Sequence, residues 1–294
     1  MKEILCIIGS CVSLQLGAAL ATQLFPAAGT WGTAAMRLAF AAALLLLIVR
    51  PRVRRWTRAQ WAAVAAFGAS LGLMNGFFYA AIGAIPLGTA VTIEFLGPLL
   101  LAAVLSRSLA DAACVALALT GMVLLGLDSI TGEPLDPAGV ACALTAGAFW
   151  ICYILASKRV GRLVPGQGGL AVALVFGAVV LLPLGGTGAA TIAADPHLLL
   201  LAVGTGLLAS LIPYSLELIA LRTLAPNVFS VLIALEPVFA AFFGWLLLVQ
   251  GVTALKLTAV VLVVTASVLQ TLSAGQRLTR ERRRSPHTPA PVPA

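Results

Sequence analysis

Apolar residues in this chain run on without a break, unlike the stripes of a water-facing helix or the alternation of a half-buried strand. A helix crossing a hydrocarbon core of about 30 Å needs about 20 predominantly apolar residues. Ten segments approach or exceed that length: 4–21, 31–49, 61–83, 87–106 and 110–127, then 137–157, 168–184, 196–221, 227–249 and 252–272. A closed barrel would also satisfy its backbone in lipid, but its strands alternate, which these runs do not. The pattern predicts an all-α integral membrane protein with ten transmembrane helices and no intervening soluble domain.

Composition agrees. Of 294 residues 61% are hydrophobic and only 10% charged, against about 45–50% and 25% in a soluble domain. A water-facing globule and a disordered chain are both excluded. The formal charge is +8, and its distribution carries information. With the N-terminus inside, every Lys and Arg except Lys256 and Arg37 falls in a cytoplasmic segment, as cytoplasmic loops should. The largest groups are Arg50, Arg52, Arg54, Arg55 and Arg58, then Lys158, Arg159 and Arg162, then Arg277, Arg280, Arg282, Arg283 and Arg284. The opposite side receives Asp128, Glu133, Asp136 and Asp195. Both termini are therefore expected in the cytoplasm, and the basic excess is a topology signal with no call for nucleic acid. Lys2, an apolar run and Ala19, Leu20 and Ala21 imitate a cleavable signal peptide. A related segment later in the chain argues for a retained helix. Residues 273–294 are basic and then Pro-rich, and are expected to form a disordered cytoplasmic tail against anionic headgroups.

The chain repeats itself. At an offset of 139, Ala81 falls on Ala220 and Pro98 on Pro237, while the loop prolines Pro86 and Pro226 miss by one residue. More weakly, Gly9 and Gly17 fall on Gly139 and Gly147. The unit is five helices, residues 1–128 and 137–272. Five being odd, the second copy enters the membrane from the opposite side, which predicts a 5+5 inverted repeat. Such folds place a site where the halves meet and expose it to each side in turn.

Ionisable groups at membrane depth are costly and thus candidates for function. There are four: Arg37, Glu94, Glu217 and Glu236. Glu94 and Glu236 lie near the middle of equivalent segments and suit a substrate or proton site, with structural pairing to Arg37 as the competing reading. Glu217, close to Arg222, suits an entrance or a salt link equally. Arg37 suits either a counter-ion or a carboxylate ligand. Proline leaves the carbonyl four residues earlier without its helical partner. Pro98 therefore frees Glu94, Pro237 frees Ile233, and Pro213 frees Ala209 beside Tyr214. These carbonyls need a ligand, water or a neighbouring helix. Asn75 and Tyr79 are one turn apart, and Asn75 aligns with Tyr214. With Ser13, Gln15, Trp150 and Tyr153 they either line a cavity or act as interhelical glue and filler. Five cysteines lie in apolar runs without metal-ligand partners, and no nucleotide, zinc or triad motif is present. No cofactor is expected.

Several of these residues carry a family resemblance: Ser13, Gln15 and Gly17; Leu24, Phe25 and Pro26; Arg37, Leu38 and Ala39; Gly72, Met74 and Asn75; Phe78 and Tyr79. It continues through Pro86, Leu87 and Gly88; Glu94, Phe95, Gly97 and Pro98; Trp150, Tyr153, Ile154 and Leu155; Pro213 to Glu217; Glu236 and Pro237. Over nearly all of residues 1–272 the chain resembles the EamA branch of the drug/metabolite transporter superfamily, and within it the bacterial inner-membrane threonine/homoserine exporters. It departs from them at Lys158 and Arg159, at Gln250 where an acid is common, and in its long tail. The resemblance implies a multi-pass protein of the bacterial inner membrane that exports a small amino acid or metabolite by proton antiport. The ammonium would meet Glu94 or Glu236 and the carboxylate Arg37, Asn75 or Tyr79, with the proton gradient as energy source. A homodimer is left open. Export of other metabolites or cationic drugs is the alternative within transport; an integral-membrane enzyme or a non-transporting scaffold is the alternative outside it.

Overall fold

A computed structural model describes residues 2–105, 109–131, 134–213, 215–216 and 236–284; all of these that lie in regular structure are helical, and none is in a strand. Helices α1 (Lys2–Ala21) and α2 (Phe25–Val49) are separated only by a 3₁₀ turn at Thr22–Leu24. Then come α3 (Arg58–Ile82), α4 (Leu87–Glu94), α5 (Leu96–Leu105), α6 (Leu109–Thr131), α7 (Pro137–Leu163) and α8 (Gly168–Ala194). Helix α9 (Pro196–Gly206) runs into a widened π-type turn at Leu207–Leu211, and α10 (Glu236–Leu248) and α11 (Ala254–Arg284) follow. Four stretches are long and apolar enough to cross a membrane: Leu5–Val49, Arg58–Ile82, Pro137–Leu163 and Gly168–Ala194. The other apolar helices are shorter, and large apolar side chains such as Leu47, Ile48, Val104, Val179, Leu200 and Leu246 face outward, where lipid would cover them.

Local chemistry sets several boundaries. Helix α2 starts earlier than the apolar run at 31–49 because Pro26 occupies its first turn; Gly29, at φ 66 and ψ 169, then kinks it where the run begins. That backbone conformation suits only glycine. Helix α3 opens with a capping box: Gln60 N donates to Thr57 Oγ1 and Thr57 N to Gln60 Oε1. Gln60 Nε2 also donates to Leu163 O at 2.6 Å, tying the start of α3 to the end of α7. Asp136 caps α7 through Ala138 N, and Asp195 caps α9 through His197 N and Leu198 N. The segment 87–106, expected as one helix, is broken at Phe95 into α4 and α5, since Pro98 cannot donate to Glu94 O. The end of the chain also differs from expectation. Beyond Ser273, where a disordered tail is expected, α11 continues as helix to Arg284.

Lipid supplies no hydrophobic drive between helices, so they associate through close packing at small residues. Several of the closest helix contacts are accordingly glycine against backbone. A Cβ added at Gly72 of α3 would lie 2.6 Å from Gly177 O and 2.7 Å from Gly177 Cα of α8. Helix α2 meets α8 the same way, through Gly32 and Gly188. Loops 50–57 and 163–168 share one end of the bundle, where Gly168 approaches Pro51 and Trp56. The turn at Ile85, the start of α7 at Gly139 and Gln250 gather at the other end of α3.

Gly72→Val should therefore destabilise the protein by about 1–3 kcal/mol, seen as a lower melting temperature in detergent. Gly186→Ala, with nothing within 4 Å of the added Cβ, should leave it unchanged or slightly higher.

Candidate functional site

Arg37 anchors the site. It is 2% exposed and sits on α2, yet its guanidinium is hydrogen-bonded in three directions. Nη2 donates to Asn75 Oδ1 at 2.7 Å and Nη1 to Tyr79 Oη at 2.9 Å, both on α3. Nε donates to Ser210 Oγ at 2.8 Å, on the widened turn after α9. Asn75 is itself held by its Nδ2, which donates to Leu71 O at 2.8 Å, and Tyr79 packs edge-on against Phe25. The spacing explains the geometry: residues 75 and 79 lie four apart on one helical face, so both acceptors reach one cation.

Ser210 was not among the residues singled out from sequence. Its signal is local. Three residues before Pro213, in a helix that proline unwinds, a lone serine is the polar group placed to leave the helical ladder. Ser13 of α1 holds the same turn by donating to Leu208 O at 2.6 Å, and Gly17 lets α1 approach Ala209. Pro213 is buried just beyond it. Tyr214 and Glu217 lie outside the described residues, as does Ile233.

The other carboxylates occupy helix ends. Glu94 is the last residue of α4 and buried, and its carboxylate makes no hydrogen bond among the described residues. Glu236 is the first residue of α10, followed by Pro237, and is also buried. The carbonyl of Glu94 is covered by a neighbouring helix: a Cβ added at Gly147 of α7 would lie 2.7 Å from it. Beside it Trp150 packs edge-on against Phe95, and one turn away Tyr153 packs against Phe67, so both aromatics are joined to other rings. Gln15 of α1 is 1% exposed, and its Oε1 has no hydrogen-bond partner among the described residues. Among the described residues no group of three His, Cys, Asp or Glu is gathered as a metal would require.

A narrow cleft, with room for little more than a water molecule, approaches this cluster from the end of the bundle that carries loops 50–57 and 163–168. Gln167 stands at its mouth, Leu45, Leu170, Leu174 and Leu211 form its walls, and Ser210, the partner of Arg37, lies along it with Ser215.

The described residues thus form a bundle of apolar helices with a buried, hydrogen-bonded cation and buried carboxylates at helix ends. Residues 137–272 match the EamA-like transporter family. The chain is 36% identical over 264 residues to the threonine/homoserine exporter RhtA of Salmonella typhimurium (strain LT2), covering 89% of this chain and 88% of that protein. The exporter of the same name from Escherichia coli K12 is 36% identical over 262 residues, with the same coverage. A solved crystal structure, 20% identical, superposes with a TM-score of 0.63 over 94% of this chain and 98% of its own, which is a likeness of fold. The chain belongs to the EamA-like transporter family. It is a multi-pass membrane transporter and not an enzyme.

Ser210→Ala removes the acceptor of a buried Nε–H, so it should cost about 1–3 kcal/mol, read as a lower melting temperature in detergent. Ser210→Thr, which keeps the hydroxyl, should lose less.

Proposed function

We propose that this protein exports small zwitterionic amino acids of the threonine/homoserine type from the cytoplasm of a bacterium, across its inner membrane, by proton antiport. Ten membrane helices in two inverted five-helix halves, with both termini in the cytoplasm, would carry the site. The observation that supports the reading best is the asymmetry of charge within the membrane. Arg37 is buried and oriented by Asn75, Tyr79 and Ser210, which sets a guanidinium, a group that pairs well with carboxylates, at membrane depth. Glu94 and Glu236 end at helix breaks, where an ammonium or a proton can reach them.

In this scheme the substrate enters from the Gln167 end and slides past Leu174 and Leu211 to Ser210. Its carboxylate pairs with Arg37, with Asn75 and Tyr79 holding the guanidinium in register. Its ammonium meets Glu94 or Glu236. Protonation of that carboxylate from outside removes the ammonium's partner and releases the substrate. Deprotonation on the cytoplasmic side restores the site. Proton and substrate then compete for one group, and each weakens the other's binding by the same factor. Alternating access completes the cycle as the two halves expose the site to each side in turn. The names of the relatives support the substrate class.

Purified protein in proteoliposomes with an imposed pH gradient tests this. Wild type should transport labelled threonine or homoserine with the gradient. Glu94→Gln or Glu236→Gln should abolish the gradient dependence, and Arg37→Lys should raise KM at least tenfold. Unchanged gradient-driven transport in both glutamine variants would overturn the mechanism. Transport of a cationic drug and of no amino acid would overturn the substrate class.

A further inference from the structure

Helix α4, which carries Glu94 at its last position, is eight residues long and breaks at Phe95. Its other end is held by a residue far away in sequence. The N-cap of α4 is Pro86, which offers no side-chain acceptor to the free amides of the first turn. Leu87 N instead donates to Gln250 Oε1 at 3.0 Å, across the interface between the two halves of the chain.

The turn carrying Gln250 is shaped for this contact. Gln250 N donates to Gly244 O at 3.1 Å, folding the strap back onto α10. A Cβ added at Gly244 would lie 2.6 Å from Gln250 Oε1 and 3.6 Å from Leu87 Cβ, so a side chain at 244 would push the amide off α4. Val249, just before it, adopts φ 52 and is 88% exposed. A β-branched residue in the left-handed region is strained, and such strain persists only where the surroundings impose it. Next to the contact Gly88 of α4 packs on the Cα of Ala241 of α10. A small cavity opens beside it, bordered by Thr89, Trp245, Gln250 and Lys256. The cavity lies at the opposite end of α3 from loops 50–57 and 163–168.

We propose that Gln250 is a positioning residue for transport: it latches the outer end of α4 to the α10–α11 turn, and its release lets α4 swing about Phe95 and opens the site to the face opposite the basic loops. Helix α4 is a lever of about 12 Å, at 1.5 Å per residue, with the latch at one end and Glu94 beside the pivot. A movement at Leu87 therefore changes the setting of Glu94. The inference rests on the transporter class and on neither the substrate nor the proton.

The test is the reactivity of a Thr89→Cys reporter toward a membrane-impermeant maleimide, applied to spheroplasts and to inside-out vesicles, with the protein lacking that cysteine as control. Removing a helix-capping acceptor typically shifts an equilibrium about fivefold. Gln250→Ala should raise labelling of Cys at 89 by about that factor, from the spheroplast side only. Gln250→Glu, which keeps an acceptor oxygen, should return it to the slow rate. Gly244→Ala should reproduce the Gln250→Ala rate, and it serves where that variant folds poorly. Unchanged labelling in both Gln250→Ala and Gly244→Ala, equal acceleration in Gln250→Glu, or acceleration from the vesicle side would each overturn the proposal. The readout needs no substrate, so its failure is distinct from a failure of threonine or homoserine transport.

Discussion

A guanidinium inside a membrane protein has no water to solvate it, and the arrangement of this bundle answers that constraint. Leaving such a charge unsolvated costs at least several kcal/mol. Hydrogen bonds to a charged group return about 1.5–3 kcal/mol each. Arg37 has three that are described, and their sources dictate the packing. Two come from one face of α3, so α2 must lie along α3. The third comes from the turn after α9, so that turn must leave the regular ladder to present Ser210. Ser13 and Gly17 of α1 then support the widened turn. Backbone-close contacts of α2 and α3 with α8 hold the platform from behind.

The break at Phe95 obeys the same rule in a different form. Irregular backbone is tolerated at membrane depth only where protein or a water-lined cavity meets it. The carbonyl that Pro98 cannot satisfy is covered by α7 at Gly147, where a Cβ would lie 2.7 Å from it. A helix can thus end at Glu94 without leaving an open polar gap. The main-chain carbonyl at that end leaves the ladder but remains enclosed by α7.

Much of this was legible in the sequence because charge and proline are rare in lipid and each has few physical explanations. Arg37, Glu94 and Glu236 stand out in apolar runs, and Asn75 and Tyr79 follow from their four-residue spacing. Ser210 did not stand out, since serine is common between membrane helices and its role depends on a turn that only the fold reveals. Gln250 was visible as a departure from a family pattern, but its partner, a backbone amide 163 residues away, carries no side-chain signal. Trp150 and Tyr153 read as cavity walls or filler, and packing against Phe95 and Phe67 engages both rings. The position of Gly147 over Glu94 required knowing that α7 crosses α4 at its last residue.

The caps give the charge pattern a second meaning. Asp136 and Asp195 each accept from amides in the first turn of the helix they precede, where the helix dipole is positive. Arg50 sits at the C-terminal end of α2 and Arg162 in the last turn of α7, where the dipole is negative. Helix α3, which starts at the basic end, is capped by the neutral pair Thr57 and Gln60 instead of an acid. The residues whose charges read as a topology signal therefore also compensate the dipoles of the helices they join. A substitution that reverses a cap's charge would disturb insertion and helix stability together.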